Sequence, residues 1–325
     1  MKTRAVRLHK PGGPEVLLWE EFDLREPGPG EVQLRQEAVG VNFVDIYQRS
    51  GLYGLPQFPA VLGSEGAGVV EAIGPDVTEV KRGDRVAYGL SPPGAYAERR
   101  NIPADRLVLV PPELSAATAA AIMLKGLTAE YLLRRTYRVK PGDTVVFHAA
   151  AGGTGSIATQ WAAHLGANVI GIVGSEAKVA TARRNGCAHV IVSSKENFAA
   201  RVKELTGGRG AEVVYDSVGR DTFDGSLECL APLGMLVLFG QSSGVVPPFD
   251  LSRLAKGSYF LTRPSLFQYD ARRSDLLPAA AALFEVVRSG AVRIDAPRTF
   301  SLKDAAEAHR LLESRQTTGS IILYP

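Results

Sequence analysis

Residues able to do chemistry cluster first at Ala149-Ala150-Ala151-Gly152-Gly153-Thr154-Gly155-Ser156, an AxxGGxG variant of the glycine fingerprint GxGxxG. Glycines at this spacing permit a tight turn and close backbone approach to a pyrophosphate, which then meets free N–H groups at the positive end of a helix. A glycine loop alone is a weak signal, so its context decides. Here it follows the apolar run TVVFH and opens the helical run SIATQWAAHLG, as a dinucleotide site requires. Gly152, Gly153, Thr154 and Gly155 are therefore the expected phosphate contacts. A site that prefers NAD places Asp or Glu about 20 residues further on, at the end of the second strand. This chain has Val173-Gly174-Ser175 there, with Lys178 close behind. Without the acid nothing repels a 2′-phosphate, and Ser175 and Lys178 offer a hydroxyl and an ammonium. NADPH is the expected cofactor, bound through Gly174, Ser175 and Lys178; the plainer reading makes Ser175 a helix cap and Lys178 a solvated cation.

The elements around this loop alternate: apolar runs at 144–150, 168–174, 189–193, 212–218 and 235–240, with helical runs between them. Strand, helix and strand repeated in this way predict right-handed crossovers and a parallel sheet. Runs such as VIGIV and MLVLFG lack polar alternation, as strands covered on both faces should. Before about residue 122 the character differs: short β-rich segments at 3–8, 31–42, 66–74 and 84–90 are punctuated by KPGGP, EPGPGE, GPDV and KRGD turns. An Ala/Leu-rich helix is expected from Ala116, ending before Lys140. After Arg272 the chain reads as helix, short strand, helix and a last strand, GSIILYP.

Length and composition narrow the class. A chain of 325 residues with 45% hydrophobic content is globular and long enough for two domains. With 37 Lys and Arg against 34 Asp and Glu the net charge is +3, and no strong field is available for nucleic acid. The apolar stretches, such as 145–151, fall short of the roughly 18 residues of a spanning helix, so no membrane segment is expected. The start, MKTRAVRLHKPGG, breaks any signal-peptide core with a turn, and the expected location is cytoplasmic. Cys187 and Cys229 form no CxxC pair and are expected to be small buried residues. His9, His148, His164, His189 and His309 show no metal spacing, and Arg134-Arg135 reads as a solvated helix end.

In addition to these local readings, ordered motifs run end to end: Val41-Asn42-Phe43-Val44-Asp45, Gly51-Leu52-Tyr53, Gly63-Ser64-Glu65, Leu124-Lys125-Gly126-Leu127-Thr128, the glycine loop, Tyr215-Asp216-Ser217-Val218-Gly219, Thr262-Arg263-Pro264-Ser265-Leu266 and Glu313-Ser314-Arg315. Through them the chain resembles the zinc-independent quinone oxidoreductases, the zeta-crystallin-like family of the medium-chain dehydrogenase/reductase superfamily. That resemblance implies an α/β protein with a GroES-like β-rich catalytic domain (1–123 and 266–325) and a Rossmann, doubly wound NADP-binding domain (124–265). Zinc-dependent members carry Cys, His and Cys at positions that here hold Asn42, Ser64 and Leu124, which cannot supply the N and S ligands zinc prefers. No metal is expected, and the direction is reductive.

The resemblance further implies hydride transfer from NADPH to a quinone, with Asn42, Asp45, Tyr47 and Tyr53 as catalytic candidates. Asn42 and Tyr47 would position a carbonyl oxygen or supply a donor; the alternatives are that Asn42 satisfies backbone groups and Tyr47 is an aromatic wall, and Asp45 is equally readable as a buried structural acid. Lys125, Thr128, Ser193, Ser217, Gly240, Gln241 and Arg315 are implied cofactor contacts; for Lys125 the alternative is a solvated side chain, and for Arg315 a helix-terminal cation. The apolar Tyr259-Phe260-Leu261 run at the sheet boundary should be paired or covered, and the resemblance implies a homodimer joined edge to edge through the Rossmann domain; the alternative is that a helix of the same chain covers this edge. Two other functions stay open: reduction of α,β-unsaturated ketones or aldehydes, and a non-catalytic crystallin-like or nucleic-acid-binding role.

Overall fold

Pro-Gly and Gly-Asp turns cut the N-terminal third into β1 (Lys2–Leu8), β2 (Leu17–Asp23), β3 (Glu31–Val41), β4 (Ala60–Val61), β5 (Glu65–Ile73), β6 (Arg85–Gly89), β7 (Arg99–Pro103) and β8 (Val108–Leu109), with one short helix, α1 (Phe43–Arg49). The structure, a computed structural model, describes residues 1–89 and 92–325; the strand expected over 84–90 is seen as Arg85–Gly89, and Leu90 lies outside the described residues. Strands from the far end of the chain, β15 (Arg298–Ser301) and β16 (Ile321–Tyr324), complete a seven-stranded sheet ordered β15-β16-β3-β5-β6-β8, with β7 paired to β3. Val6, Leu34 and Val39 from the start share one core with Leu302, Ala305 and Leu323 from the end. Burying those faces together is what makes this unit discontinuous in sequence.

The second unit holds the parallel sheet. Its strands are β9 (Thr144–His148), β10 (Asn168–Val173), β11 (His189–Val192), β12 (Ala211–Asp216), β13 (Leu230–Leu238) and β14 (Phe260–Thr262). They lie in the order β11-β10-β9-β12-β13-β14, every neighbouring pair parallel. This is the doubly wound 3-2-1-4-5-6 arrangement, in which ligands bind beyond the carboxyl ends of the strands. Val145, Val146, Val169, Ile170, Val213 and Val214 are all buried, so the unbroken apolar runs reflect helix cover on both faces. The connecting helices are α3 (Gly153–His164), α4 (Val179–Arg184), α5 (Phe198–Leu205) and α6 (Phe223–Glu228). Cys187 and Cys229 are both buried free thiols whose pKa burial pushes up to about 12.

The observed units are Met1–Leu127 with Asp270–Ala281 and Asp295–Pro325, and Thr128–Tyr269 with Ala282–Ile294. These bounds depart from a division at 123 and 266 in three places: the first boundary falls four residues later, and each of the other two departures has a local cause. The short helix α7 (Leu266–Tyr269) stays with the second unit because the Tyr269 ring stacks on Tyr131 at 4.5 Å, and the Tyr269 carbonyl accepts from Arg135 at 3.0 Å. Gln160 of α3 holds the backbone of Arg293 in both directions, at 2.9 and 3.0 Å, which draws 282–294 to the same unit. Helix α8 (Arg273–Arg288) therefore runs from one unit into the other.

Two sequence expectations need correction. Helix α2 (Ala116–Tyr131) continues through a π-helical turn to Thr136, and 116–136 is long and apolar enough to cross a membrane, although no such stretch was expected. Most of it is buried within the protein, as the core helix of a globular domain also would be. The pair Arg134-Arg135 is not simply solvated: Arg135 lies 2.7 Å from the buried Glu130 carboxylate and sits over the Tyr269 ring.

Candidate active site

In the second unit the glycine loop lies between β9 and α3, at the carboxyl end of the central strand. Gly152 is the N-cap of α3, and the Gly153, Thr154 and Gly155 N–H groups fall in the first turn, where no residue of the same helix can accept them. A β-carbon at Gly155 would collide with the Ala149 carbonyl and lie 2.9 Å from the Ala150 Cα, so only glycine lets the loop close. At Gly174, which follows β10, an added β-carbon meets nothing within 4 Å, leaving open space where an NAD-specific acid would project. Ser175 begins the next helical turn without a capping bond from its hydroxyl, so the cap reading fails for the side chain. Burial lowers the pKa of the half-buried Lys178 ammonium. These donors and this space fit a dinucleotide carrying a 2′-phosphate.

Neighbouring strand ends add the other predicted contacts. Ser193, after β11, donates to the Val173 carbonyl at 3.3 Å and is exposed. Ser217 and Gly240 lie against each other at the ends of β12 and β13, where a β-carbon on Gly240 would come within 2.7 Å of the Ser217 carbonyl. Gln241 Oε1 accepts from Arg263 at 2.8 Å, and Arg263 also donates to the Leu238 carbonyl at 3.1 Å. Arg263 thus braces this rim, a role its motif did not reveal. Beneath the rim, Asp216 accepts from the backbone of Val218 and Gly219, from Thr222 and, at 2.8 Å, from Ser226. Because Ser226 donates to Asp216, its oxygen accepts from His148 Nε2 at 2.9 Å, so that nitrogen carries a proton and the ring is tied into the Asp216 network. Burial holds its pKa down. Thr128, at the start of this unit, is buried.

The first unit gathers the catalytic candidates around two buried carboxylates. Gly40 of β3 pairs with Glu65 of β5, which brings Asn42, just past β3, within reach of Glu65. Glu65 accepts from Asn42 Nδ2 at 2.9 Å, from the Leu124 backbone at 2.8 Å and from Lys125 Nζ at 2.6 Å. A side chain at Gly40 would occupy the space taken by Glu65. Asn42 is also the N-cap of α1, and Asp45, at the third helical position, returns its Oδ2 to the Asn42 N–H at 2.9 Å. Ser64 donates to Asp45 Oδ1 and Tyr96 to Asp45 Oδ2, both at 3.1 Å. Burial pushes the Asp45 carboxyl up to about 7, against these three donors and the Lys125 charge, all of which favour the ionised form.

These geometries revise the roles read from sequence. Asp45 is fully buried, as its reading as a structural acid requires. Lys125 is neither solvated nor exposed. Tyr47 and Tyr53 are brought together, rings 5.1 Å apart edge to face, by a 2.9 Å bond from the Tyr53 N–H to the Tyr47 carbonyl. Arg315 also lies in the first unit, exposed and with φ +56°, directly beyond the C-cap of α9 (Ala305–Glu313). Among the described residues no group of three or more His, Cys, Asp and Glu side chains is placed to hold a metal ion. The residues that sequence reasoning missed, Glu65, Tyr96, Arg49 and His309, meet partners 23 to 264 positions away, a separation no local pattern records.

Comparison with known proteins bears on the family and the fold. Residues 153–280 match the zinc-binding dehydrogenase family and 28–112 the alcohol dehydrogenase GroES-like domain. A quinone oxidoreductase of Pseudomonas aeruginosa is 50% identical over 97% of this chain and 97% of its own length. A 2-haloacrylate reductase of a Burkholderia species is 48% identical over 99% of this chain and 98% of its own. The crystal structure of Escherichia coli quinone oxidoreductase complexed with NADPH superposes with a TM-score of 0.97 at 47% identity, covering 100% of both chains. With a GroES-like unit, a Rossmann unit and relatives this similar over their full length, the chain belongs to the quinone oxidoreductase, zeta-crystallin-like family of the medium-chain dehydrogenase/reductase superfamily.

Proposed function

We propose that the protein is an NADPH-dependent quinone oxidoreductase. The observation that carries this is the glycine turn from Ala149 to Gly155 at the central strand of a 3-2-1-4-5-6 sheet, with open space instead of an acid at Gly174. The NADPH bound to the Escherichia coli relative and the names of the quinone oxidoreductase relatives support the assignment. Bound NADPH would supply the hydride. The α3 N-terminus would hold the pyrophosphate; Ser175, Lys178 and Arg315 are assigned to the 2′-phosphate, and Thr128, Ser193, Ser217, Gly240 and Gln241 to the riboses and nicotinamide. Asn42, Tyr47 and Tyr53 are assigned to orienting the acceptor, while Lys125 acts through Glu65 on Asn42.

The acceptor is a small molecule, and no metal is needed: Asn42, Ser64 and Leu124 occupy the ligand positions, and the Asn42 and Ser64 side chains are engaged by Glu65 and Asp45. NADPH oxidation should proceed with para-quinones after exhaustive chelation, and loss of turnover restored by zinc would overturn the metal-free assignment. The second reading, reduction of a conjugated double bond, is favoured by the relative named 2-haloacrylate reductase. Product analysis with quinones and α,β-unsaturated acids and ketones separates the two. A cytoplasmic location fits the two buried free thiols. A homodimer joined at β14 fits the 55% exposure of Phe260 on that edge strand.

A further inference from the structure

A chain of hydrogen bonds leads from Asp45 to the C-terminal part of the sequence, and the chemistry of its members fixes its polarity. Arg49, buried on α1, spans Glu313 of α9 with both terminal nitrogens, at 2.6 and 3.1 Å, and its Nε donates to the Gly12 carbonyl at 3.1 Å. Its Nη1 also lies 3.2 Å from His309 Nδ1. A guanidinium has only donors, so Nδ1 accepts. The single proton of the neutral ring then sits on Nε2, 2.9 Å from the Tyr96 hydroxyl, which must accept it. Tyr96 has one proton to give, and Asp45 Oδ2 receives it. Burial and the Arg49 charge hold the His309 pKa down to about 3, so the ring is neutral at physiological pH; burial and Asp45 hold the Tyr96 hydroxyl well above its ordinary pKa of 10.

We propose that His309 and Tyr96 are positioning residues for the reaction: Arg49 sets the His309 tautomer, His309 commits the Tyr96 proton to Asp45, and Asp45 so fixed holds Asn42 and the start of α1, the helix on which Tyr47 lies one turn further on. The proposal rests on the assignment of Asn42 and Tyr47 to the acceptor made above. The groups that face Asp45 are Ser64, Tyr96 and the Asn42 backbone, with Lys125 acting from α2 and Arg49 and Glu65 acting on Tyr96. Only the Tyr96 contact depends on the C-terminal segment. Removing its proton takes one of three donors from the carboxylate and raises the affinity of Asp45 for a proton.

Tyr96→Phe keeps the ring and removes the link. His309→Phe keeps the edge-to-face contact with Tyr96, now 5.7 Å between centroids, and removes the donor. His309→Gln retains a donor and an acceptor side by side. In carboxyl-carbon NMR of the full chain without substrates, the Asp45 titration midpoint should rise by roughly 0.5 to 1 pH unit in both Phe variants, the equivalent of one lost hydrogen bond, and return in His309→Gln. With para-quinone and NADPH, kcat at neutral pH should fall about three- to tenfold in the Phe variants, with the KM for NADPH unchanged. The pH profile of kcat should move with the NMR midpoint. An unmoved midpoint overturns the proposal, and so does an equal loss of kcat at every pH. Wild-type protein that binds NADPH but reduces no acceptor would count against the proposed activity instead, while the NMR midpoint would still decide the relay.

Discussion

Lys125 Nζ lies 2.6 Å from Glu65 Oε2, and the two side chains are 6% and 0% exposed. A charge pair so deeply buried contributes little net stability, because desolvation of both ions offsets their attraction, but breaking it strands one charge. Glu65→Gln should therefore destabilise the protein by about 3–5 kcal/mol in urea unfolding. A change of about 0.5 kcal/mol, typical of a surface substitution, would mean that the pair does not form.

The buried Asp45 and His309 should bend the pH dependence of stability in opposite senses. Asp45 is raised from its ordinary 3.8 to about 7, so between those values the folded protein holds a proton that the unfolded chain has lost, and stability falls as pH rises. His309 is lowered from 6.5 to about 3; there the unfolded chain holds the extra proton, and stability rises with pH. Each contributes about 1.4 kcal/mol per pH unit, and between 3.8 and 6.5 they cancel. Unfolding measured at two pH values inside that window should show a slope more positive than wild type in Asp45→Asn by about this amount, and more negative in His309→Phe. Slopes identical to wild type would place both groups in solvent-like surroundings.

Cofactor choice can be altered at one rim. NADPH should bind at least about tenfold tighter than NADH, about 1.4 kcal/mol, and Lys178→Ala should narrow that gap through NADPH. Gly174→Asp has room for its side chain and sets a carboxylate beside the 2′-phosphate, so it should favour NADH without loss of folded protein. Gly155→Ala, which collides with Ala149, should abolish binding of both. Titration of each variant with both cofactors checks the set, and equal affinity in wild type would reject the NADPH assignment.

Assembly turns on the edge of the parallel sheet. Tyr259 and Leu261 pack against the core of the second unit, whereas Phe260 of β14 is 55% exposed on a strand that, among the described residues, is paired only on its β13 side. A second copy added there would cover that edge. Sedimentation at micromolar concentration should show a dimer, and Phe260→Asp should shift it toward monomer. Wild type sedimenting as 34.7 kDa would end the idea.

The sequence by itself determined the parallel sheet and its glycine turn, since residues 144–156 carry strand, turn and helix within thirteen consecutive positions and local propensity settles each. It also determined the absence of an acid at Gly174, because the position follows directly from the strand that precedes it. Only the tertiary structure decided which partners Asp45, Lys125 and His309 meet. Lys125 on an Ala-rich helix reads as a solvated cation until Glu65, 60 positions away, is folded against it, and His309 reads as an isolated ring until Arg49 and Tyr96 close on it from 260 and 213 positions away. Burial likewise sets the Asp45 proton affinity, and burial depends on how strands from both chain ends pack into one core. Hydrogen-bond polarity and desolvation act over a few ångströms in space, with no period along the chain.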